Sequence, residues 1–598
     1  MKIPPGEAGS SGTPRNILVL DAECNAATCV VQSLGRAGHR ISLAGHAEDA
    51  FSFRSRFVRH SFRYPSPLLS RRAFLDWFGK TVRPENFDYI LPLSDLTLYP
   101  LREISRKIPG IVLPPEEGFE WFFDKARTLE LSARCGVPAP RTLLIRSMEE
   151  IGSADLGEPP FFVKLTRSKV WMGDRGFDLE ARLVRTPREL REAAGDLLPY
   201  GPVLVQEYEP GDGVGIEMLC SDGRVLLAFA HRRIHEYPLT GGGSSYRVSI
   251  ALPPALLAAS ERLVKEAGWT GVAMVEFKMD GERFSLMEVN GRFWGSLPLS
   301  YRSGIDFPRA LIDLLEGHPL PEGPGYRTGV YSRRFSTDFS WFKHNLVADR
   351  SDPYTKSRPV GRTLLEYGRF LSGRDHWDHG SLSDPLPVLS EIGRTLRKNV
   401  RDLAVRGSSL LVRRIAPRTS RGRLGRLMKR KTSGDRSVRI LVLCYGNICR
   451  SPFVHHLLRQ SLDPGRFEVR SCGFVEREGR PSPEDFVPLA REGGVDLSSH
   501  RSKTLSRDLL EWADLILLMD YRNWRDLGRF APESLEKALW LGAWSGNGSG
   551  EIPDPYGRDR EAMRRILTLM GFAARSFAAD LGGDEVADRT GTVSGTTR

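Results

Sequence analysis

The chain has 598 residues, of which 40% are hydrophobic, 27% charged and 9% aromatic, a balance typical of globular proteins. At about 150 residues per domain this length predicts about four folding units, and the composition excludes a mainly disordered chain, a collagen and a disulfide scaffold. Seven cysteines without a C-x-x-C pair indicate a reducing compartment and argue against a zinc ribbon. No signal-peptide core and no membrane-spanning apolar run is found, so we expect a cytoplasmic protein.

The net charge of +12 is concentrated in one stretch of the chain. Residues 406–439 contain twelve Lys or Arg and a single Asp, a net of +11. The remainder is close to neutral, so the charge does not indicate a specific nucleic-acid-binding protein. We interpret residues 406–436 as a basic linker, which either stays solvated or docks on an anionic membrane surface or an acidic partner.

Three regions with different sequence patterns precede this linker, and a fourth region follows it. Strand–helix–strand alternation over residues 15–118 predicts a small parallel α/β domain. Over 119–318, strands with internal charged residues (FFVKLT, VLVQEY, VAMVEF, SLMEVN) alternate with helices. Residues 319–405 form an extension of unresolved fold, although 389–415 has the spacing of a basic amphipathic helix. Alternation restarts over 437–582, so the predicted fold class is multidomain α/β and α+β.

A C-x5-R loop, CYGNICRSP, joins the predicted strand RILVL to the helix FVHHLLRQSL. Backbone N–H groups in such a loop, together with the helix dipole, bind a dianionic phosphoryl group and favour the thiolate form of Cys444. The planar fork of Arg450 matches two phosphoryl oxygens. We predict Cys444 as nucleophile, Arg450 as phosphate clamp and Asp554 in EIPDPYG as the acid for the leaving group. The other loop residues predicted to bind phosphate are Tyr445, Gly446, Asn447, Ile448, Cys449 and Ser451.

These residues resemble the low-molecular-weight protein tyrosine phosphatases over about 437–582. The matching blocks are LCYGNICRSP, VRSCGF, GVDLSSHRSKTL, ADLILLMDYRNW and IPDPYG, in the order of that family. The resemblance implies an α/β domain with a parallel sheet and a cysteinyl-phosphate intermediate. It also implies that Cys449 can form a reversible disulfide with Cys444, and that His500 is structural.

Other details of this region bear on the substrate. The aliphatic Ile448 resembles the tyrosine-specific members rather than the protein-arginine phosphatases of this fold. No cysteine follows Cys472, whereas the arsenate reductases of this fold use two further cysteines. His455 and His456 depart from the small and acidic residues usual in the first helix. We therefore expect a phosphotyrosine protein as substrate.

A hairpin is predicted from the strands GVAMVEFKM and RFSLMEVN, joined through residues 280–282. A three-residue loop would pair 276 with 286 and 274 with 288. Alternation places one set of apolar residues on one face: Ala273, Val275, Phe277, Met279, Met287 and Val289.

Oxygen ligands share the opposite face of this hairpin. Glu276, Glu288 and Asn290, with Arg292 close behind, predict a site for Mg²⁺ and a polyphosphate; a solvated hairpin face is the alternative. Lys164 lies in an apolar strand, where an unpaired ammonium is costly, so we expect a phosphate partner for it.

The order of these elements resembles the ATP-grasp superfamily over about 15–318, including the small α/β domain that precedes it. The matching segments are DKARTLELSARCGVPAPRT, FFVKLT, VLVQEYEPG and VEFKMDGERFSLMEVNGR. The resemblance implies a two-lobed ATP-grasp fold that uses ATP and Mg²⁺ to phosphorylate a small carboxylate. Carried over, the ATP-binding residues are Lys125, Lys164, Gln206, Glu207, Tyr208, Glu209 and Arg292, and the metal ligands are Glu276, Glu288 and Asn290.

Two features of this half leave the function open. Gly215 replaces the usual ribose-binding acid, so Glu217 or Asp212 is expected to substitute for it. Arg232 and Arg233 are predicted to hold an acceptor carboxylate, unless they form an exposed basic edge. The sequence therefore predicts a bifunctional protein tyrosine phosphatase and ATP-grasp ligase; the alternative is an ATP-binding sensor or scaffold that regulates the phosphatase without ligase turnover.

Overall fold

The computed structural model describes residues 13–582 apart from 83–85, 105–107, 154–156, 321–324, 432–436 and 547–549. It divides into two compact units, one up to Arg397 and the other from Lys398 onward. Within the described part of the chain, no helix combines the length and apolar character needed to cross a bilayer.

The first unit begins with the small parallel α/β domain that the alternation predicts. Its four strands run parallel in the order β3-β2-β1-β4, and Ile17, Leu18 and Val19 of the central strand are fully buried. Its elements are β1 Asn16–Val19, α1 Asn25–Arg36, β2 Arg40–Gly45, β3 Val58–Arg63, α2 Arg71–Thr81, β4 Tyr89–Leu91 and α3 Asp95–Arg102.

A four-stranded antiparallel sheet, in the order β5-β10-β6-β9, and a separate two-stranded hairpin, β7-β8, follow. Asp124 caps the helix that begins at Lys125, because its carboxylate accepts from the N–H groups of Ala126 and Arg127. The elements are α4 Glu116–Phe123, α5 Lys125–Arg134, β5 Thr142–Ile145, α6 Met148–Ser153, β6 Phe161–Leu165, β7 Lys169–Met172, β8 Arg175–Asp178, β9 Arg182–Val184, α7 Pro187–Leu197 and β10 Val203–Glu207.

The largest sheet has seven strands in the order β15-β14-β11-β12-β13-β16-β17. Its first five strands come from residues 212–290, and the last two come from the extension. The elements are β11 Asp212–Ser221, β12 Arg224–Tyr237, β13 Gly243–Ile250, α8 Pro254–Glu266, β14 Gly271–Asp280, β15 Arg283–Asn290, α9 Leu297–Ser303, α10 Phe307–Leu315, β16 Tyr331–Arg333, α11 Phe335–Leu346, α12 Val360–Gly368, β17 Asp375–Trp377 and α13 Leu386–Lys431.

The predicted register of the β14–β15 hairpin is wrong. Glu276 pairs with Glu288 and Met274 with Asn290, because Asp280 already pairs with Arg283 around a two-residue turn. Gly281 supplies the left-handed φ of 61° that this turn requires. A β-bulge then shifts the pairing by one residue, so Glu276 and Glu288 share a face of the hairpin as predicted. The two-residue turn also pairs Leu286 with Phe277, which places Leu286, and not Met287, in the buried cluster.

The extension that sequence patterns left unresolved is fastened to this sheet by buried charges. Arg333 is fully buried and bonds Asp338 at 3.1 Å and Asp375 at 2.6 Å. His235 bonds Asp338 at 2.8 Å and Glu366 at 2.9 Å. Burial alone would raise the pKa of Asp338, but its bonds to His235 and Arg333 lower it. These paired charges explain why aromatic and charged residues are interspersed there without a clear period.

Helix α13 has 46 residues and runs across the boundary between the two units. It includes the helix predicted over 389–415 and most of the stretch predicted as a basic linker, 406–436, which is helical up to Lys431.

The second unit contains one parallel sheet in the order β19-β18-β20-β21. Strand β18 is apolar on both sides: Ile440 and Val442 join one core, and Leu441 and Leu443 another. Such two-sided burial is typical of a parallel strand covered by helices on both faces. The elements are β18 Val438–Cys444, α14 Arg450–Ser461, β19 Phe467–Gly473, α15 Phe486–Glu492, α16 Arg507–Trp512, β20 Leu515–Leu518, α17 Tyr521–Phe530, β21 Ala538–Trp540 and α18 Arg560–Gly582.

Candidate functional sites

The predicted phosphate loop lies between the end of β18 and the start of α14. Cys444 is the last residue of the strand and Arg450 the first of the helix. Cys444 is 3% exposed; its Sγ atom accepts from the N–H of Asn447 at 3.2 Å and lies 3.0 Å from the Ser451 hydroxyl. A backbone N–H and a hydroxyl therefore face the sulfur.

Asn447 holds this loop in shape. Its φ of 51° lies in the left-handed region, which asparagine tolerates better than most residues. Its amide donates to Ser451 Oγ at 2.9 Å and Ser471 Oγ at 3.1 Å, and accepts from the N–H of Lys503 at 2.8 Å. The backbone carbonyl oxygen of Asn447 lies 2.8 Å from His500 Nε2. His500 thus contacts the back of the loop rather than the sulfur.

Arg450 joins the loop to the predicted acid. Its side chain is 2% exposed, and its guanidinium bonds Asp520 at 2.6 Å and Asp554 at 2.8 Å. It also donates to the Ile552 carbonyl at 3.0 Å. The Asp554 side chain is 44% exposed. Because Asp554 is accessible and tied to the arginine beside the thiol, a phosphoryl group at the loop would lie within its reach.

The mouth of this loop is aromatic and cationic. The guanidinium of Arg522 lies 3.3 Å from the centre of the Tyr445 ring, a favourable cation–π contact. Arg480 donates to the Gly446 carbonyl at 2.6 Å. Tyr556, two residues after Asp554, is 65% exposed.

Of three further residues in or beside the predicted loop, Cys449 is buried, and Ile448 and His455 are partly buried. Cys449 is 2% exposed, and burial raises the pKa of its thiol. Ile448 packs against the larger core of the unit. Burial, with His456 nearby, lowers the pKa of His455 to about 4, so this departure from the family places a neutral imidazole beside Ser471.

In the first unit, the predicted phosphate lysines lie on two facing elements. Lys125 opens α5 and donates to Ser168 at 2.7 Å, while Lys164 lies in β6 and donates to Gln206 at 2.9 Å. Burial and the nearby Lys125 lower the pKa of Lys164 to about 8. A phosphate partner would favour its charged form.

The predicted adenine segment, residues 206–209, follows from β10. Gln206 is 1% exposed and is held by Lys164 and by the Thr142 hydroxyl at 2.9 Å. The N–H groups of Glu207 and Tyr208 donate to the carbonyls of Arg141 and Pro160. The Tyr208 ring packs at 5.1 Å against Tyr354 of the extension, and Glu209 is partly exposed. The segment therefore stands at the junction of the four-stranded sheet and the extension.

The three predicted metal ligands converge. The Asn290 amide lies 3.3 Å from Glu276 Oε1 and 3.3 Å from Glu288 Oε1. Burial and the neighbouring Glu288 raise the pKa of Glu276, although Arg233 opposes the shift. Burial would also raise the pKa of Glu288, but Lys125 and Lys164 lower it. Two crowded, buried carboxylates near two lysines fit a divalent cation carrying phosphates.

A cavity of about 340 Å³ opens beside these ligands. Lys125, Glu288, Asn290 and Arg292 line it, whereas Lys164 and residues 206–209 do not. Sequence reasoning missed several other lining residues, among them Asp95, which bonds Arg292 at 2.7 Å. Six of the missed residues lie in the preceding α/β domain or next to and in β7: Cys24, Asn25, Ser94, Asp95, Ser168 and Lys169.

The residues proposed around Gly215 have other partners. Glu217 is fully buried; its carboxylate accepts from the Ser296 hydroxyl at 2.7 Å and lies 3.0 Å from His231 Nδ1, so it does not face a ribose. A Cβ atom at Gly215 would lie 2.3 Å from His231, which explains the glycine. Asp212 pairs with Arg232 at 3.3 Å.

Arg233 lies at the metal ligands rather than at a free acceptor site. Its guanidinium bonds Glu276 and donates to the Gly242 carbonyl at 3.0 Å. Arg232 and Arg233 were predicted to bind the carboxylate of an acceptor substrate. In this structure they bind carboxylates of the chain itself, Asp212 and Glu276.

Comparison with known proteins covers both regions. Residues 439–587 match the family model for low molecular weight phosphotyrosine protein phosphatases. The low molecular weight protein-tyrosine-phosphatase Wzb of Escherichia coli K12 is 37% identical over 147 residues, which cover 25% of this chain and 97% of that protein. The chain belongs to the low-molecular-weight protein-tyrosine-phosphatase family. Its second unit is termed the phosphatase unit below. The similar phosphatase Etp of the same organism is 34% identical over 24% of this chain and 93% of its own length.

The first unit contains an ATP-grasp domain. Residues 200–334 match the family model described as ATP-grasp in the biosynthetic pathway with Ter operon. N5-carboxyaminoimidazole synthetase from Staphylococcus aureus has a similar solved structure, with 16% identity, a TM-score of 0.44 and coverage of 61% of this chain and 99% of that one. One chain therefore contains a region of the phosphatase family and a region that matches an ATP-grasp family model.

Sequence reasoning missed several residues that shape the phosphatase unit. Asp520 caps α17 and bonds Arg450, and Ser471 supports Asn447 from β19. The signal for Asp520 was its position after a buried strand, where its carboxylate also caps the next helix. The contacts of Arg480 and Arg522 depend on tertiary packing and had no local signal.

Proposed function

We propose that the phosphatase unit hydrolyses phosphotyrosine in proteins through a cysteinyl-phosphate on Cys444. The observation that carries this proposal is the meeting of Cys444, Arg450 and Asp554 at the ends of β18 and α14. The Cys444 thiolate attacks phosphorus and the bond to the tyrosyl oxygen breaks. Protonated Asp554 gives its proton to that oxygen, so tyrosine leaves neutral. Asp554, now ionised, takes a proton from the water that attacks phosphorus, and phosphate leaves with Cys444 again a thiolate.

The remaining loop residues stabilise the transferred group. The N–H groups of Tyr445, Gly446, Ile448 and Cys449 and the guanidinium of Arg450 bind the phosphoryl oxygens. The Ser451 hydroxyl, 3.0 Å from Sγ, stabilises the thiolate when phosphate leaves. Asn447 keeps the loop in its left-handed turn. Each of these groups is already oriented by the fold, so binding requires little rearrangement.

The aromatic mouth supports phosphotyrosine as substrate. Tyr445 and the exposed Tyr556 provide apolar walls on which a phenyl ring can pack. The buried phosphate loop lies at the end of a strand, and a phenyl ring reaches further than the short side chain of phosphoserine. Because all seven cysteines are free thiols, a reducing cytoplasmic location suits a cysteine nucleophile.

Two variants test this mechanism on the full chain. Cys444→Ser should abolish turnover of aryl phosphates while phosphate still binds. Asp554→Asn should slow phenyl phosphate by about 10²–10⁴ but leave dinitrophenyl phosphate, whose leaving group needs no proton, much less affected. Normal turnover by Cys444→Ser would reject the nucleophile assignment.

We also propose that the first unit binds Mg-ATP. Lys125, Lys164 and Arg292 bind its phosphates, and residues 206–209 (Gln206, Glu207, Tyr208 and Glu209) bind adenine. Glu276, Glu288 and Asn290 would hold Mg²⁺, which when bound neutralises phosphate charge and orients the γ-phosphoryl group. The raised pKa of Glu276 supports this, because a cation relieves the repulsion between the two buried carboxylates.

We further propose that this unit is a carboxylate ligase acting through an acyl phosphate. A small carboxylate in the 340 Å³ cavity attacks the γ-phosphorus of ATP and releases ADP; an amine or similar nucleophile then displaces phosphate from the acyl carbon. Arg292 and Lys169 supply positive charge in that cavity. Hydroxylamine intercepts acyl phosphates, so carboxylate-dependent formation of a hydroxamate tests the step; ADP release without hydroxamate would contradict it.

A second candidate is an ATP-binding sensor or scaffold that regulates the phosphatase. One observation favours it: of the acids expected to replace the ribose-binding residue, Glu217 is fully buried and Asp212 is paired with Arg232. ATP binding without ADP formation, together with a phosphatase rate that changes on addition of ATP, would support this candidate over a ligase.

A further inference from the structure

The C-terminal half of helix α13 is part of the phosphatase unit, although the family match begins only at residue 439. Leu424 is 4% exposed and belongs to the same buried cluster as Trp544 and Cys444, and Leu427 and Met428 pack against this cluster. A basic linker would not bury leucines in a folded core. The helix therefore acts as a structural element added in front of the family's own fold.

The helix covers the open edge of the parallel sheet. β21 is the edge strand, and the N–H of Trp540 donates to the Ser420 hydroxyl at 3.1 Å. Arg423 donates to the carbonyls of Ala538 at 3.2 Å and Leu535 at 3.3 Å. Unpaired groups of an edge strand are thereby satisfied, which fixes the position of the helix along the sheet.

Two residues at the start of this half reach the segment that precedes the predicted acid. Pro417 packs directly on Gly550, where an added Cβ atom would lie 2.3 Å from the proline ring. Arg413 Nε lies 3.2 Å from Glu551 Oε1. The guanidinium of Arg413 is also 5.2 Å from the centre of the Tyr521 ring.

The same short segment leads into the catalytic groups. Glu551 accepts from the N–H of Tyr521 at 3.0 Å, and the N–H of Ile552 donates to Met519 at 2.8 Å. The Ile552 carbonyl accepts from Arg450, which also bonds Asp554. Residues 550–554 are thus held from one side by the added helix and from the other by the phosphate loop.

We propose that Arg413 is a positioning residue of the phosphatase: through Glu551 it holds residues 550–554 so that Asp554 points at the leaving group. This inference rests on the proposed role of Asp554 as the acid. Arg413 reaches the acid segment through Glu551, and its other contact is with the ring of Tyr521. Its loss should therefore affect the substrates that need a proton and spare those that do not.

The test compares two substrates in the full-length chain. For Arg413→Gln we expect kcat/KM to fall about tenfold with phenyl phosphate and to change less than twofold with dinitrophenyl phosphate. Glu551→Gln should give the same pattern, and the double variant should be no slower than either single one, because both remove the same contact. Arg414→Gln, an exposed arginine one position along the helix, is the matched control and should behave as wild type.

Other outcomes separate this inference from the function on which it rests. An equal fall with both substrates would mean that Arg413 only supports the fold, and an unchanged rate with phenyl phosphate would mean that it does not position the acid; either overturns the inference. If Asp554→Asn lacks the substrate selectivity, the acid assignment fails and the inference fails with it. If Asp554→Asn shows the selectivity and Arg413→Gln does not, only the inference fails.

Discussion

Asn447 provides a direct test of how the phosphate loop is held. Its fully buried side chain makes three hydrogen bonds, to Ser451, Ser471 and the N–H of Lys503. At about 1 kcal/mol for each bond, Asn447→Gly should lower the free energy of unfolding of the phosphatase unit by about 3 kcal/mol. Asn447→Ala should lower it by about 1 kcal/mol more, because φ is 51° and alanine is strained in the left-handed region.

Hydrogen exchange of the β18 amides measures this loss, because those amides lie in the centre of the sheet and exchange by opening of the unit. A loss of about 3 kcal/mol corresponds to roughly 10²-fold faster exchange. Exchange in Asn447→Gly within about fivefold of wild type would refute the idea that the side chain holds the loop. Equal exchange in the glycine and alanine variants would refute the argument from backbone conformation.

Three further predictions concern the first unit. The pKa of Lys164 is lowered to about 8, and bound phosphates should raise it, so binding of Mg-ATP at about pH 8.5 should be accompanied by proton uptake. Calorimetry in buffers of different ionisation enthalpy measures this uptake. Binding without proton uptake would contradict the assignment of Lys164. Glu276→Gln removes one predicted metal ligand and should raise the Mg²⁺ concentration needed for half-maximal ATP binding roughly tenfold, whereas an unchanged requirement would place the cation elsewhere. Burial and Glu23 raise the pKa of Asp21 to about 6, so the folded state binds more protons than the unfolded one between about pH 4 and 6. Asp21 therefore contributes stability that is fully present below about pH 4 and lost as pH rises through about 6. The melting temperature of Asp21→Asn should not show that loss.

The phosphatase loop was predictable because its chemistry is local. Cys444, Asn447 and Arg450 lie within seven residues between a strand and a helix, so spacing alone brings them together. The hairpin register was not predictable, because it depends on a two-residue turn at Gly281 and on a bulge near Met287. The shared face of Glu276 and Glu288 was predicted only because the turn and the bulge compensate each other.

The contacts that hold the extension and the added helix had no local signal. Arg333 is buried only because Asp338 and Asp375 neutralise it, and Asp375 lies 42 residues further along the chain. In α13 the arginines suggested a solvated stretch, but Arg413 and Arg423 have partners more than 100 residues away in the chain. The pattern of charges along a sequence does not reveal which distant residues those charges will contact in the fold.

We propose two active sites in one chain, and the ATP site is the one to test first. The most direct measurement is ADP formation from Mg-ATP by full-length Cys444→Ser, across a panel of amino acids, peptides and other carboxylates, with and without amines. The account predicts ADP release that depends on one carboxylate and disappears when Glu276→Gln is added. No ADP with any carboxylate, together with no binding of ATP, would contradict it and leave the phosphatase as the single activity of the protein.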